Sequence, residues 1–414
     1  MRAARLVVAG CFALAPTIGA APALAGPAAP LAAPAAPLAP VAPVACQLQP
    51  GAPKVPSEPW AQQRFDYERL WKLTRGGGVT VAVVDTGVDG SHPQLAGQVV
   101  KSVDVSKTGP RDCLGHGTLV AGIVGALDQR DRDRPFVGIA PRAKIVSVKY
   151  TNEKHTEGAD PNLAKAIRTA ADTKGVRVIN VSSTAPDTPD LQAAVKYAQS
   201  RDILIVAAAG NVQDEDKGKE LPAYPAGYDG VVGVAAVDEN GQISDFSNAR
   251  TQIAVAAPGR NIISTWPGGG YASDEGTSFA APFVSGLAAL IRSFRPRLTY
   301  LQVANRIRET AEGTSGAGSG KGIVNPYEAI NAEIPDKAPP ATAQQPKIAV
   351  RPVRIDPPPP ADTRTRGIAL AVTFGALGAA ALVAVAGVVI PMGRRRGWRP
   401  GRVQLPAEPS RFGE

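Results

Sequence analysis

The chain has 414 residues, with 45 Lys and Arg against 36 Asp and Glu, a formal net charge of +9 at pH 7. Much of that excess lies near the two ends. The middle mixes both signs and has no arginine–aromatic run, which excludes a nucleic-acid binder, and it is long enough for one large α/β domain.

Residues 1–25 open with Arg2 and Arg5, continue through the apolar run Leu6–Leu14, and end in Ala23-Leu24-Ala25 before Gly26. A short basic start, an apolar stretch and a small-x-small ending are the signs of a secretory signal peptide. Residues 26–59 are Ala/Pro-rich, have neither helical nor strand period, and read as an extended arm. Removal of the signal peptide takes Cys11 with it and leaves Cys46 and Cys113. An even pair in an oxidising compartment is expected to form a disulfide, although two free thiols are also compatible with the count.

Residues 60–333 form the expected globular domain. Trp60, Phe65, Leu70, Trp71 and Leu73 recur at helical spacing over 60–74, and Gly76-Gly77-Gly78 stops that helix. Continuous β-branched or apolar runs at 79–88, 143–150, 176–183, 203–211 and 231–241 read as buried strands. Helical patterns fall between and after them, at 162–175, 189–202, following Ser278, and at 300–312. This alternation predicts an α/β fold with a central parallel sheet flanked by helices in three layers. Residues 334–366, with Pro357-Pro358-Pro359-Pro360, form a stiff stalk.

Residues 368–390 carry Thr373 as their only conventional polar side chain. As a helix they span about 35 Å, enough for the hydrocarbon core of a bilayer at about 30 Å. A single transmembrane helix over 367–391 is therefore expected. Arg394, Arg395, Arg396, Arg399 and Arg402 follow, which puts the tail 392–414 in the cytoplasm. With the signal peptide, this places the domain on the outer face of the cell membrane.

Functional groups of open parallel sheets gather at the carboxyl ends of the strands. Asp85 ends the first buried strand, where an unpartnered carboxylate is costly; the alternative is a turn-capping Asp. His116 sits between glycines at the start of an apolar helix. His155 lies in a charged loop and His92 precedes Pro93, so both read as solvated or turn residues. Asn211 ends another strand, either as a turn residue or as an amide donor aimed at developing negative charge. Ser278 opens a helix four residues before Pro282, either as an N-cap or as a nucleophile. Together they supply acyl transfer. Ser278 attacks, His116 takes its proton, Asp85 orients the imidazole, and Asn211 with the Ser278 amide holds the oxyanion.

The segments VVDTGVD, GHGTLVAG, AAAGN and GTSFAAPFVSG, in that order, resemble the four signature blocks of the subtilisin-like serine proteases over residues 60–333. The resemblance implies the subtilisin-like fold, serine endopeptidase activity on protein or peptide substrates, and no cofactor. It also implies substrate-binding roles for Ser182, Ser183 and Gly210. No acidic loop matches a family calcium motif, so no metal is expected. In VINVSSTAP, Thr184 stands where the family usually has glycine. The whole layout of export signal, cysteine-bearing arm, stalk and C-terminal span resembles the mycosins, the membrane-anchored subtilases of type VII secretion systems. That likeness implies a type VII membrane complex as partner. Two other functions fit the same sequence: a structural secretion component with dispensable catalysis, and a general cell-surface subtilase.

Overall fold

The computed structural model describes residues 46, 48–153, 160–213, 220–313, 318–334 and 363–397. The expected signal peptide, most of the Ala/Pro arm, nearly all of the stalk, His155 and the basic tail beyond 397 lie outside them. Contacts divide the chain into two units, Met1–Ala341 and Thr342–Glu414.

The first unit is built on seven strands: β1 (Thr80–Asp85), β2 (Val99–Asp104), β3 (Lys144–Lys149), β4 (Val176–Val181), β5 (Leu204–Ala208), β6 (Val232–Val237) and β7 (Val255–Pro258). They lie side by side as β2-β3-β1-β4-β5-β6-β7. Every pairing is parallel. Parallel strands need crossovers, and three of them carry the helices α3 (His116–Gly125), α4 (Pro161–Asp172) and α5 (Pro189–Ser200). The sheet is therefore buried on both faces, which is why its strands read as continuous apolar runs. Val81 and Val83 face a core shared with Leu119 and Ile123 of α3 and with Leu287 of α6 (Thr277–Phe294). Ala82 and Val84 face the opposite core, with Leu163 and Ile167 of α4 and Val195 of α5. The result is the three-layer, subtilisin-like architecture expected from the sequence. Helices α7 (Tyr300–Glu309) and α8 (Pro326–Asn331) complete the unit.

Four differences from the sequence reading have local causes. The helix expected over 60–74 is two helices, α1 (Trp60–Phe65) and α2 (Tyr67–Trp71). Asp66 breaks it, turning left-handed at φ 45° while its carboxylate accepts the Arg69 N–H. Strands β2 and β7 are edge strands; β2 has no buried residue, and β7, though buried, is only four residues long and ends in proline, so neither gave a legible apolar run. A hairpin of β8 (Ile262–Trp266) and β9 (Gly270–Asp274) was not foreseen. His92 is a turn residue but not a solvated one. It is buried, with Nε2 donating to the Gly270 carbonyl and Nδ1 accepting from the Gln94 N–H.

The described part of the arm lies against this hairpin. Ala52 exchanges both backbone hydrogen bonds with Tyr271, and Trp266 Nε1 donates to the Gln49 carbonyl. Val55 is buried, and Cys46 is disulfide-bonded to Cys113.

In the second unit, α9 runs from Thr363 to Arg395. Its segment Leu370–Arg395 has a mean hydropathy of 2.3 and is long and apolar enough to cross a membrane, and none of it is buried within the protein. Helix α6 passes the same test of length and composition but is buried in the first unit.

The disulfide closes a loop of 67 residues. Cys46→Ser is expected to destabilise the protein by about 4 kcal/mol on the chain-entropy account, read as a lowered melting temperature. Both thiols free to alkylation in non-reduced protein would contradict the pairing.

Candidate active site

Asp85 occupies the last position of β1 and is 3 % exposed. Its Oδ1 accepts from His116 Nδ1 at 2.7 Å and from the Thr86 N–H at 2.8 Å. His116 is the first residue of α3, with 27 % of its side chain exposed. Close approach of the loop after β1 to this helix depends on Gly117, where a Cβ would lie 2.0 Å from the Gly87 carbonyl. Burial opposes the imidazolium. The charge and hydrogen bond of Asp85, followed by the charges of Asp112 and Asp274, outweigh it and raise the His116 pKa above the ordinary 6.5.

Asp112 holds the loop that delivers His116. Its Oδ1 accepts from Thr86 Oγ1 and from the Leu114 and Gly115 N–H groups, and its Oδ2 accepts from Thr118 N and Oγ1. Thr86 Oγ1 in turn accepts the Gly117 N–H at 3.0 Å. Lys149, at the end of β3, donates to the Arg111 carbonyl at 2.6 Å. The sequence reading passed over both Asp112 and Thr86. Asp112 stands four residues before His116, and that spacing within DCLGHGT is the signal available for it.

Asn211 and Ser278 meet on the other side. Asn211 Oδ1 accepts from Thr277 N and Oγ1, each at 2.9 Å, and Thr277 Oγ1 accepts the Gly210 N–H at 3.1 Å. These bonds fix the amide with its NH₂ turned away from Thr277. Gly276, at φ 149°, is held open beside it. A Cβ there would lie 3.0 Å from both Asn211 Nδ2 and Ser278 Oγ, so the donor and the hydroxyl border one small space. Thr277 is a further residue that sequence reasoning did not assign.

Helices α3 and α6 pack together, and the His116 ring centroid lies 5.1 Å from that of Phe279. The two halves of the site, Asp85–His116 and Asn211–Ser278, are thereby adjacent. Among the described residues no hydrogen bond joins His116 to Ser278, a contact that in enzymes without substrate is often long. The arrangement holds a hydroxyl in the first turn of a helix, an imidazole oriented by a carboxylate, and an amide whose NH₂ has no hydrogen-bond partner among the described residues. These are the parts of acyl transfer.

The residues expected to bind substrate are distributed differently. Ser182 is buried, and its hydroxyl donates to the Ser278 carbonyl at 2.6 Å. Among the described residues Ser183 Oγ finds no hydrogen-bond partner. Gly210 lies beneath Thr184, whose Cγ2 is 3.4 Å from the site of a Cβ on that glycine. Among the described residues no cluster of His, Cys, Asp and Glu is fit to hold a metal ion.

A family model, that of the subtilases, matches residues 76–339. Thermitase from Thermoactinomyces vulgaris is 37 % identical, over 68 % of this chain and 99 % of its own. Mycosin-4 from Mycobacterium tuberculosis is 37 % identical, over 82 % of each chain. Among solved structures, MycP1, described as a serine protease and an essential component of the type VII (ESX-1) secretion system, is similar with a TM-score of 0.57. It is 32 % identical, over 68 % of this chain and 92 % of its own.

An NMR titration of the His116 ring is expected to give a midpoint above 6.5, the ordinary histidine value. In Asp85→Asn the midpoint should fall, because burial then acts without the carboxylate. An unchanged midpoint would remove Asp85 as the cause.

Proposed function

The chain belongs to the subtilase family of subtilisin-like serine proteases, and from that premise we propose a membrane-anchored serine endopeptidase acting outside the cytoplasm. The carrying observation is the part-buried Asp85–His116 hydrogen bond, packed beside the helix that carries Ser278 in its first turn. Ser278 Oγ attacks the scissile carbonyl while His116 Nε2 takes its proton. Asp85 holds the Nδ1–H tautomer and stabilises the imidazolium. The tetrahedral oxyanion accepts from Asn211 Nδ2 and the Ser278 N–H. Collapse then expels the amine, protonated by His116, and water releases the acyl group by the same route. Substrate main chain runs past Ser182, Ser183 and Gly210. The Thr184 methyl over Gly210 narrows the space open to a side chain there. Because His116 must be neutral to act as base, activity is lost as pH falls through its raised midpoint.

Similarity to Mycosin-4 and MycP1 over most of the domain, together with the apolar α9, supports a mycosin working in and stabilising a type VII secretion complex. In this reading the domain lies outside the cell membrane and the basic tail inside. The description of MycP1 as an essential component favours a second reading, in which presence in the complex matters apart from hydrolysis.

A fluorophosphonate probe is expected to label the parent protein at Ser278 and to leave Ser278→Ala unlabelled. Asp85→Asn should slow turnover by roughly 10⁴-fold. Persistent labelling of Ser278→Ala would move the nucleophile elsewhere.

Comparing a chromosomal deletion with Ser278→Ala at normal expression separates the two readings. Secretion lost in the deletion and kept in Ser278→Ala supports the scaffold role. Equal loss in both leaves hydrolysis as the contribution.

A further inference from the structure

Helix α6 carries a defect at its functional end. An α-helix satisfies the carbonyl of residue i with the N–H of residue i+4. For Ser278 that residue is Pro282, which has no N–H. The first-turn carbonyl of the candidate nucleophile is thus deprived of its helical donor. It lies in the interior, where an unmade hydrogen bond is costly.

A side chain from the neighbouring sheet replaces the donor. Ser182, one residue past the end of β4, donates its hydroxyl to the Ser278 carbonyl at 2.6 Å. That hydroxyl is itself held, accepting from Asn180 Nδ2 at 2.9 Å. Asn180 Oδ1 accepts from Ser285 Oγ at 2.8 Å, two turns further along α6. Asn180 and Ser285 are both fully buried. The donors all point one way, from Ser285 through Asn180 and Ser182 to the Ser278 carbonyl. Water does not substitute easily in so enclosed a chain, and rotation of Asn180 or Ser182 breaks two bonds.

We propose that Ser182, oriented by Asn180 and Ser285, is a positioning residue for Ser278. Its hydroxyl stands in for the N–H that Pro282 lacks and fixes the peptide plane between Ser278 and Phe279. That plane sets the backbone torsion from which Ser278 Oγ is aimed, and it does so without contacting substrate through the Ser182 side chain. Pro282 keeps the first turn of α6 free of the ordinary helical bond, and the sheet decides where that turn sits. This rests on Ser278 being the nucleophile.

The test measures the rate of fluorophosphonate labelling of the full-length protein in detergent, with saturation resolving the limiting rate from half-saturating probe. In Ser182→Ala the limiting rate should fall about tenfold, the effect of one buried hydrogen bond of about 1.4 kcal/mol. Half-saturation should change less than about twofold on the same account, because the side chain does not touch the probe. The pH midpoint set by His116 should stay in place. The decisive variant is Ser182→Ala with Pro282→Ala, in which the backbone N–H gained at position 282 restores the missing helical donor to the Ser278 carbonyl. It should recover the limiting rate to within about threefold of the parent, as expected for regaining most of one hydrogen bond. A purely structural role predicts the reverse, since the second substitution removes more packing. A limiting rate in Ser182→Ala within twofold of the parent overturns the inference, as does a double variant no faster than Ser182→Ala at equal melting temperature. Failure of the parent to label at all overturns the nucleophile assignment and this inference with it. Normal labelling in parent and Ser182→Ala alike removes only the inference.

Discussion

A carboxylate sealed inside a parallel sheet must be matched, and the surroundings of Asp85 are shaped by that requirement. An isolated charge in the interior is costly, and a hydrogen-bonded cation or polarised donor offsets much of the cost. The match is the imidazole of His116, delivered from a different crossover. Placing that ring requires a tight loop, which a second buried carboxylate, Asp112, ties together through five hydrogen bonds. The first carboxylate orients an imidazole, while the second builds the loop that carries it. Their partners differ accordingly, since Asp112 accepts only from backbone N–H groups and threonine hydroxyls.

The Ser278 side of the candidate site is governed by neutral groups. Thr277 turns the Asn211 amide by donating twice to its oxygen, which points the nitrogen the other way. Ser182 completes the broken first turn of α6. Both depend on hydroxyls: without that of Ser182 the Ser278 carbonyl loses its side-chain donor, and without that of Thr277 the Asn211 oxygen keeps only the Thr277 N–H while the Gly210 N–H loses its acceptor. Rigidity here comes from short polar side chains and not from large apolar ones.

The buried strands β1 and β3 to β6 were legible because burial on both faces writes an uninterrupted apolar run. The four residues Asp85, His116, Asn211 and Ser278 were legible because each punctuates such a run or the helix after it. What escaped lacked that contrast. β2 reads VVKSVD and is mostly exposed, and the β8–β9 hairpin turns on Gly268-Gly269 within a polar stretch. The break at Asp66 was hidden by a helical apolar period that continues across it. Asp112 and Thr277 act on neighbours through backbone groups, and side-chain type alone does not announce that. Ser182 was singled out for its place on the chain, yet the pairing of its hydroxyl with the carbonyl four residues before a proline emerges only in three dimensions.

Strand β1 is the first strand of the domain and sits in the middle of the sheet, between β3 and β4. Its register partners are residues 144–149 on one side and 176–181 on the other. A chain that emerges N-terminus first, from a ribosome or a translocation pore, exposes Asp85 long before either neighbour arrives. Ser278 follows almost a hundred residues after β4 is complete. The order of synthesis thus imposes a delay on the candidate site. Its two halves cannot meet until nearly the whole domain has appeared and closed.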